Sequence, residues 1–196
     1  MITQIRGRIT EKNPAYIVIE TAGGVSYFLH ISLNTFSQIK EESEIRLYTH
    51  YVVKEDAHIL YGFYEESERT LFRLLISVNG IGPNTACLIL SALSVNDVAN
   101  AIASEDVRTL QSVKGIGAKT AQRAVIELKD KMAKASFTVT GSAPSAASTE
   151  KSDALNALVA LGFPKNAADK VLDKIIQNGN ASLSVEELIK KALKML

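Results

Sequence analysis

Up to about residue 64, apolar and polar residues alternate with the two-residue period of strands. From Glu65 onward the apolar positions recur every three to four residues, as on helices. The alternating part falls into five segments, 2–9, 16–21, 25–31, 45–53 and 58–63, with turn signals at Asn13-Pro14 and Gly23-Gly24. Five short strands with one helical insertion over 32–40 predict a small closed barrel of the OB kind. In the next part Leu71, Phe72, Leu74, Leu75 and Val78 form one apolar stripe, 85–93 a second, and Ser94-Val-Asn-Asp97 reads as a capping box for a third helix through Val98, Ala101 and Ile102. Val107, Leu110 and Val113 lead into a last helix over 121–134.

After Lys134 the pattern stops. The stretch Ser-Phe-Thr-Val-Thr-Gly-Ser-Ala-Pro-Ser-Ala-Ala-Ser-Thr over 136–149 is short of large apolar residues, which predicts a flexible linker over 136–150. Three amphipathic segments follow, 153–161, 164–177 and 184–196, with Pro164 at a helix start and Ser184-Val-Glu-Glu187 as a second capping box. The fold class is therefore α+β and multidomain: a barrel over 1–64, a helical domain over 65–135, the linker, and a three-helix bundle over 151–196. A small bundle on a tether suits partner docking better than catalysis.

One feature of the helical domain is repeated. Ser77-Val-Asn-Gly-Ile-Gly-Pro-Asn-Thr-Ala86 returns 35 residues later as Ser112-Val-Lys-Gly-Ile-Gly-Ala-Lys-Thr-Ala121, so the domain contains two helix-hairpin-helix units. Glycine accepts φ > 0 and lets a foreign backbone come close, and each copy has two: Gly80 and Gly82, then Gly115 and Gly117. Ile81 and Ile116 between them read as plugs packed down between the helices. The flanking amides then lie at a helix N-terminus, where unpaired N–H groups and the positive end of the dipole attract an anion such as a nucleic-acid phosphate. The alternative is a tight turn serving packing alone. A Walker A loop is excluded, because Ala118 stands where that motif needs glycine.

Charge distinguishes the copies. Asn79, Asn84 and Leu88 of the first correspond to Lys114, Lys119 and Arg123 of the second. Between 108 and 134 seven cations (Arg108, Lys114, Lys119, Arg123, Lys129, Lys131 and Lys134) face only Glu127 and Asp130, whereas the whole chain of 196 residues carries a net charge of only +1. Any nucleic-acid binding must therefore come from a patch. At 46% hydrophobic the chain can build several cores. Cys87, the single cysteine, permits no internal disulfide, and neither an export leader nor a bilayer-long apolar run is evident. The expectation is a soluble, cytoplasmic protein.

Two features of the barrel admit two readings each. Lys54-Glu55-Asp56-Ala57 is a hairpin tip whose adjacent carboxylates are either merely solvated or placed to repel a phosphate backbone. Tyr16, Tyr27, Phe28, Tyr48, Tyr51, Tyr61, Phe63 and Tyr64 either fill the barrel and a subunit contact or stack on bases. His30, His50 and His58 have no metal-ligand spacing, so no metal is expected.

The acidic tip before Ile59-Leu60-Tyr61-Gly62-Phe63, the paired Gly-Ile-Gly hairpins and the tail segment Leu158-Val-Ala-Leu-Gly-Phe163 together resemble the RuvA family of Holliday-junction branch-migration proteins over the full chain. The resemblance implies a homotetramer, alone or as a pair of tetramers, cradling a four-way DNA junction in recombination, DNA repair and the SOS response. It implies that Glu55 and Asp56 form an acidic pin at the junction centre. Phosphates would be gripped at Gly80, Gly82, Asn84, Lys114, Gly115, Gly117, Lys119 and Arg123. The tail would be a UBA-like three-helix bundle in which Leu158, Leu161 and Phe163 help dock the RuvB ATPase, and the RuvC resolvase would be a further partner. The chain itself would be non-catalytic and hold no cofactor, ATP being used by RuvB. Asn84 departs from the pattern, since a lysine is expected there. Two other classes compete: a nuclease or glycosylase, which metal-dependent cleavage of a junction would favour, and a protein adaptor, for which changing Lys119 and Arg123 to Glu would leave DNA affinity intact.

Overall fold

The computed structural model describes residues 1–40, 44–134, 146–177 and 183–195. The chain divides into two compact units, Met1–Val139 and Thr140–Leu196.

The first unit begins with strands β1 (Gln4–Asn13), β2 (Tyr16–Glu20), β3 (Ser26–Ile31), β4 (Glu44–Val53) and β5 (His58–Phe63), closed into a barrel in the order β1-β2-β3-β5-β4. Closure depends on β1 serving two neighbours, β4 through Gln4–Arg8 and β2 from Arg8 onward. Where it passes between them, Gly7 lies so close to β2 that a Cβ would meet the Glu20 carbonyl oxygen at 2.2 Å, which only glycine avoids. The inward residues are the apolar half of the alternation: Ile5, Ile17, Ile19, Leu29, Ile31, Ile45, Leu47 and Leu60. Helix α1 (Leu33–Gln38), between β3 and β4, is N-capped by Ser32.

Helices α2 (Glu66–Ile76), α3 (Pro83–Ala92), α4 (Val95–Ala103), α5 (Val107–Gln111) and α6 (Ala118–Lys134) follow. Leu71, Phe72 and Leu75 of α2 are fully buried among Ile89, Leu90, Ile102, Leu110 and Leu128. The barrel joins this core through Tyr61 and Phe63, whose rings lie 5.0 and 4.9 Å from that of Phe72. The capping box expected at Ser94 and Asp97 is present; such a cap stabilises a helix by about 1 kcal/mol.

The second unit holds α7 (Ala146–Ala160), α8 (Lys165–Gln177) and α9 (Val185–Ala192) around Ala154, Leu158, Ala168, Leu172, Ile175 and Leu188. The Ser184–Glu187 capping box is also present. Most of the expected linker lies outside the described residues, but its last part, 146–150, is the first turn of α7. Paired alanines favour that extension, which a reading for large apolar residues passes over.

Candidate nucleic-acid interface

Both Gly-Ile-Gly turns have the same construction. The first glycine of each pair takes the left-handed conformation, with φ +97° at Gly80 and +94° at Gly115. The second does not: Gly82 is extended, with φ −83° and ψ 170°, and Gly117 is absent from the positive-φ residues. Of the two properties that make glycine useful in a turn, the left-handed conformation is thus used only by the first member of each pair. Gly82 and Gly117 instead begin the helices, their carbonyls accepting from the Ala86 and Ala121 amides, each at 2.9 Å. Ile81 and Ile116 are the expected plugs, 4% and 7% exposed, their amides turned inward to the Val78 and Val113 carbonyls.

This leaves the helix starts uncovered. Helices α1, α4, α5 and α9 are closed by the side chains of Ser32, Ser94, Asp106 and Ser184, whereas no side chain caps α2 at Glu65 or α3 at Gly82 among the described residues, and Gly117 has none to offer α6. A Cβ at Gly82, Gly115 or Gly117 would meet nothing within 4 Å among the described residues, so open space adjoins these turns. Unpaired amides at the positive end of a helix dipole, approachable by another backbone, form an anion site.

The two turns are neighbours. A Cβ on Gly80 would lie 3.5 Å from Thr120 of the second hairpin, Arg123 donates to the Asn79 carbonyl at 3.5 Å, and Lys131 donates to the Ser77 carbonyl at 3.1 Å. The start of α6 therefore stands beside the first turn. The basic run is sorted by the same packing. Lys129 pairs with Glu105 and Lys131 with Glu127, whereas Lys114 and Lys119 are exposed with no acidic partner among the described residues. Arg123 is exposed but braces the first turn, a role invisible in the sequence because Asn79 lies 44 residues away. Asn84 is also tied: its Oδ1 accepts from the Tyr61 hydroxyl at 2.6 Å, which leaves the amide nitrogen as its outward donor.

Glu55 and Asp56 sit at the exposed tip between β4 and β5, which the Lys54 amide closes by donating to the Ala57 carbonyl at 2.8 Å. Below the tip Val52 and Ile59 pack on the helical core, so the acids stand on a braced ribbon. The aromatic residues divide. Tyr61 and Phe63 are buried, while Tyr16, Phe28, His30 and Tyr61 form a chain of ring contacts whose outer member Phe28 is 49% exposed. Beside them Pro14, Ile31, Leu33, Cys87 and Leu88 line an apolar cleft of about 410 Å³. Burial holds the Cys87 thiol up at about 11.

In the second unit Leu158 is fully buried, which corrects its expected place among docking residues: it is a core residue. Leu161 is 61% exposed and Phe163 is half-buried against the core. Among the described residues no group of His, Cys, Asp and Glu side chains is arranged to hold a metal ion, and no single helix is long and apolar enough to cross a membrane.

Three family models match the chain in succession: the RuvA N terminal domain over residues 1–62, the SAM-like helix-hairpin-helix tandem over 72–130 and the RuvA C-terminal domain over 149–196. Among similar proteins named Holliday junction branch migration complex subunit RuvA, that of Christiangramia forsetii is 51% identical over 199 residues, covering all of both chains. That of Flavobacterium psychrophilum is 45% identical with the same full coverage, and that of Pseudomonas putida is 40% identical over 99% of this chain and 98% of its own. With a barrel, tandem open hairpins and a separate three-helix unit in the order those models require, this chain belongs to the RuvA family.

Proposed function

We propose that this chain is the non-catalytic DNA-binding subunit of a branch-migration machine. Acting as a homotetramer, singly or in face-to-face pairs, it cradles a four-way junction in the cytoplasm, holds it open and recruits the RuvB ATPase, with the RuvC resolvase acting on the same DNA. The observation that carries this reading is the pair of uncapped helix starts at Gly82 and Gly117, side by side with open space before them. An exposed helix-end contact contributes about 0.3–1 kcal/mol, too little to hold DNA alone. Fourfold repetition around a junction of matching symmetry multiplies it. The contacts are to backbone, so recognition is of shape rather than of bases.

Self-association is supported by the apolar cleft and by Phe28, Leu33 and Leu88, which are 49%, 50% and 53% exposed in the single chain. Docking of RuvB is assigned to the second unit, where Leu161 offers an apolar contact. The test is competition binding: a labelled four-way junction should be displaced by unlabelled junction far more readily than by linear duplex of the same sequence. Equal displacement by both would overturn junction recognition.

A further inference from the structure

The joint between the barrel and the first hairpin is built around a buried acid that the DNA-binding surface does not use. Glu68, on α2, is only 2% exposed. One carboxylate oxygen accepts from the Ser32 hydroxyl and the other from the Thr35 hydroxyl, the latter at 2.6 Å. Both hydroxyls are oriented by other bonds. Ser32 Oγ accepts the Thr35 amide at 3.0 Å as the cap of α1, and Thr35 Oγ1 accepts the Tyr64 amide at 3.0 Å, so each has its proton to give to Glu68.

No cation pairs with this carboxylate among the described residues. A buried acid without one is costly, and an apolar side chain would fill the seam at lower cost. What the acid supplies is direction, because two hydroxyl bonds fix the orientation of α2 about α1. Helix α1 also holds the other arm of the hairpin: Asn34 Nδ2 donates to the Leu90 and Leu93 carbonyls at 2.6 and 2.9 Å, and the Leu33 amide donates to Ser91 Oγ at 3.1 Å. The strand descending from the acidic tip enters the same network through Tyr64. Tip and first hairpin therefore meet at one hydrogen-bonded node.

We propose that Glu68 is a positioning residue: through Ser32 and Thr35 it sets the first hairpin at a fixed angle to the Glu55–Asp56 tip, and so sets discrimination between four-way and linear DNA without touching either. The proposal rests on the function given above. A grip on one phosphate chain needs only the local turn. Fitting a junction needs tip and hairpins in register with each other, which a loose joint destroys.

The test compares the full-length wild-type chain with Glu68→Gln and Thr35→Val, measuring affinity for a four-way junction and for linear duplex at one salt concentration, together with the melting temperature. Gln keeps the shape but sets an N–H against a hydroxyl whose proton then lacks an acceptor; Val removes one hydroxyl at similar size. Both variants are expected to bind duplex within about twofold of wild type and to lose about tenfold in junction preference, the scale on which residues remote from a ligand alter coupling. A folded variant with an unchanged junction-to-duplex ratio overturns the proposal, and so does a parallel fall in both affinities, which marks general destabilisation. Should Glu68→Gln fail to fold, Thr35→Val decides. A wild-type chain without junction preference overturns the function itself, and the proposal with it.

Discussion

Lys119 stands one residue inside α6, exposed and without an acidic partner among the described residues, whereas Arg123 is engaged with the Asn79 carbonyl. Lys119→Glu should therefore weaken DNA binding without lowering stability, since an acid in the first turn suits the helix dipole. Reversing a charge at a helix-end site costs on the order of 1 kcal/mol per subunit, and in the proposed tetramer that cost is repeated. Circular dichroism melting and a binding titration separate the two effects; unchanged affinity would favour a hairpin that serves packing alone. At the tip, Glu55→Lys combined with Asp56→Lys exchanges repulsion of phosphate for attraction, so duplex affinity should rise and junction preference fall. Equal discrimination by this variant and the wild type would count against a pin. Glu68 supplies a pH prediction. Burial raises its carboxyl above the ordinary range against the opposing pull of the Ser32 and Thr35 hydroxyls, with the charge of Glu65 adding to the rise. A carboxyl raised in the folded state holds its proton more tightly there than when unfolded. Its stabilising effect is complete below the ordinary carboxylate range and is lost as pH rises through the elevated value. Glu68→Gln should remove that part of the slope from a plot of stability against pH.

The elements were legible where period and punctuation agree. The five strands and the helices of both hairpins follow the apolar alternation and the Gly-Ile-Gly repeats, and the capping boxes at Ser94 and Ser184 formed as their spacing required. The helical insertion at 32–40 was legible as an element, but its role was not, because nothing local shows that Ser32, Asn34 and Thr35 bond partners on α2 and α3 more than 30 residues away. Glu68 did carry a signal: it falls three, four and seven residues before Leu71, Phe72 and Leu75, on the buried stripe of α2. An acid on an apolar stripe marks a partner elsewhere in the chain. The glycine pairs supply the element-scale prediction, since their members do different work. Gly115→Ala places a side chain at φ +94° and should cost about 1–2 kcal/mol of stability. Gly117→Ala meets no atom within 4 Å and should cost less than about 1 kcal/mol, while its methyl fills the space before the α6 amides and lowers DNA affinity. If both variants lost stability equally and neither lost affinity, the second glycine would have no part in binding.

At the scale of the whole molecule, a chain of net charge +1 can hold polyanionic DNA only by concentrating its cations and amides on one face and repeating that face. In the proposed tetramer, the exposed apolar residues at the barrel–helix seam supply that repetition. Leu88→Lys should shift native mass from tetramer toward monomer and reduce junction binding, leaving the isolated fold intact because Leu88 is already 53% exposed. Salt dependence then measures the repetition. Each phosphate neutralised releases condensed counterions, and on duplex DNA the slope of log affinity against log salt is about −0.9 per phosphate. If each subunit neutralises about two phosphates, a tetramer neutralises about eight and the slope should be about −7. The Leu88→Lys monomer should give a slope of about −2, and Lys119→Glu in the tetramer a slope clearly shallower than wild type. A slope near zero in the wild-type chain would mean that the open helix starts meet no phosphate, and the surface built by the two hairpins would need another ligand.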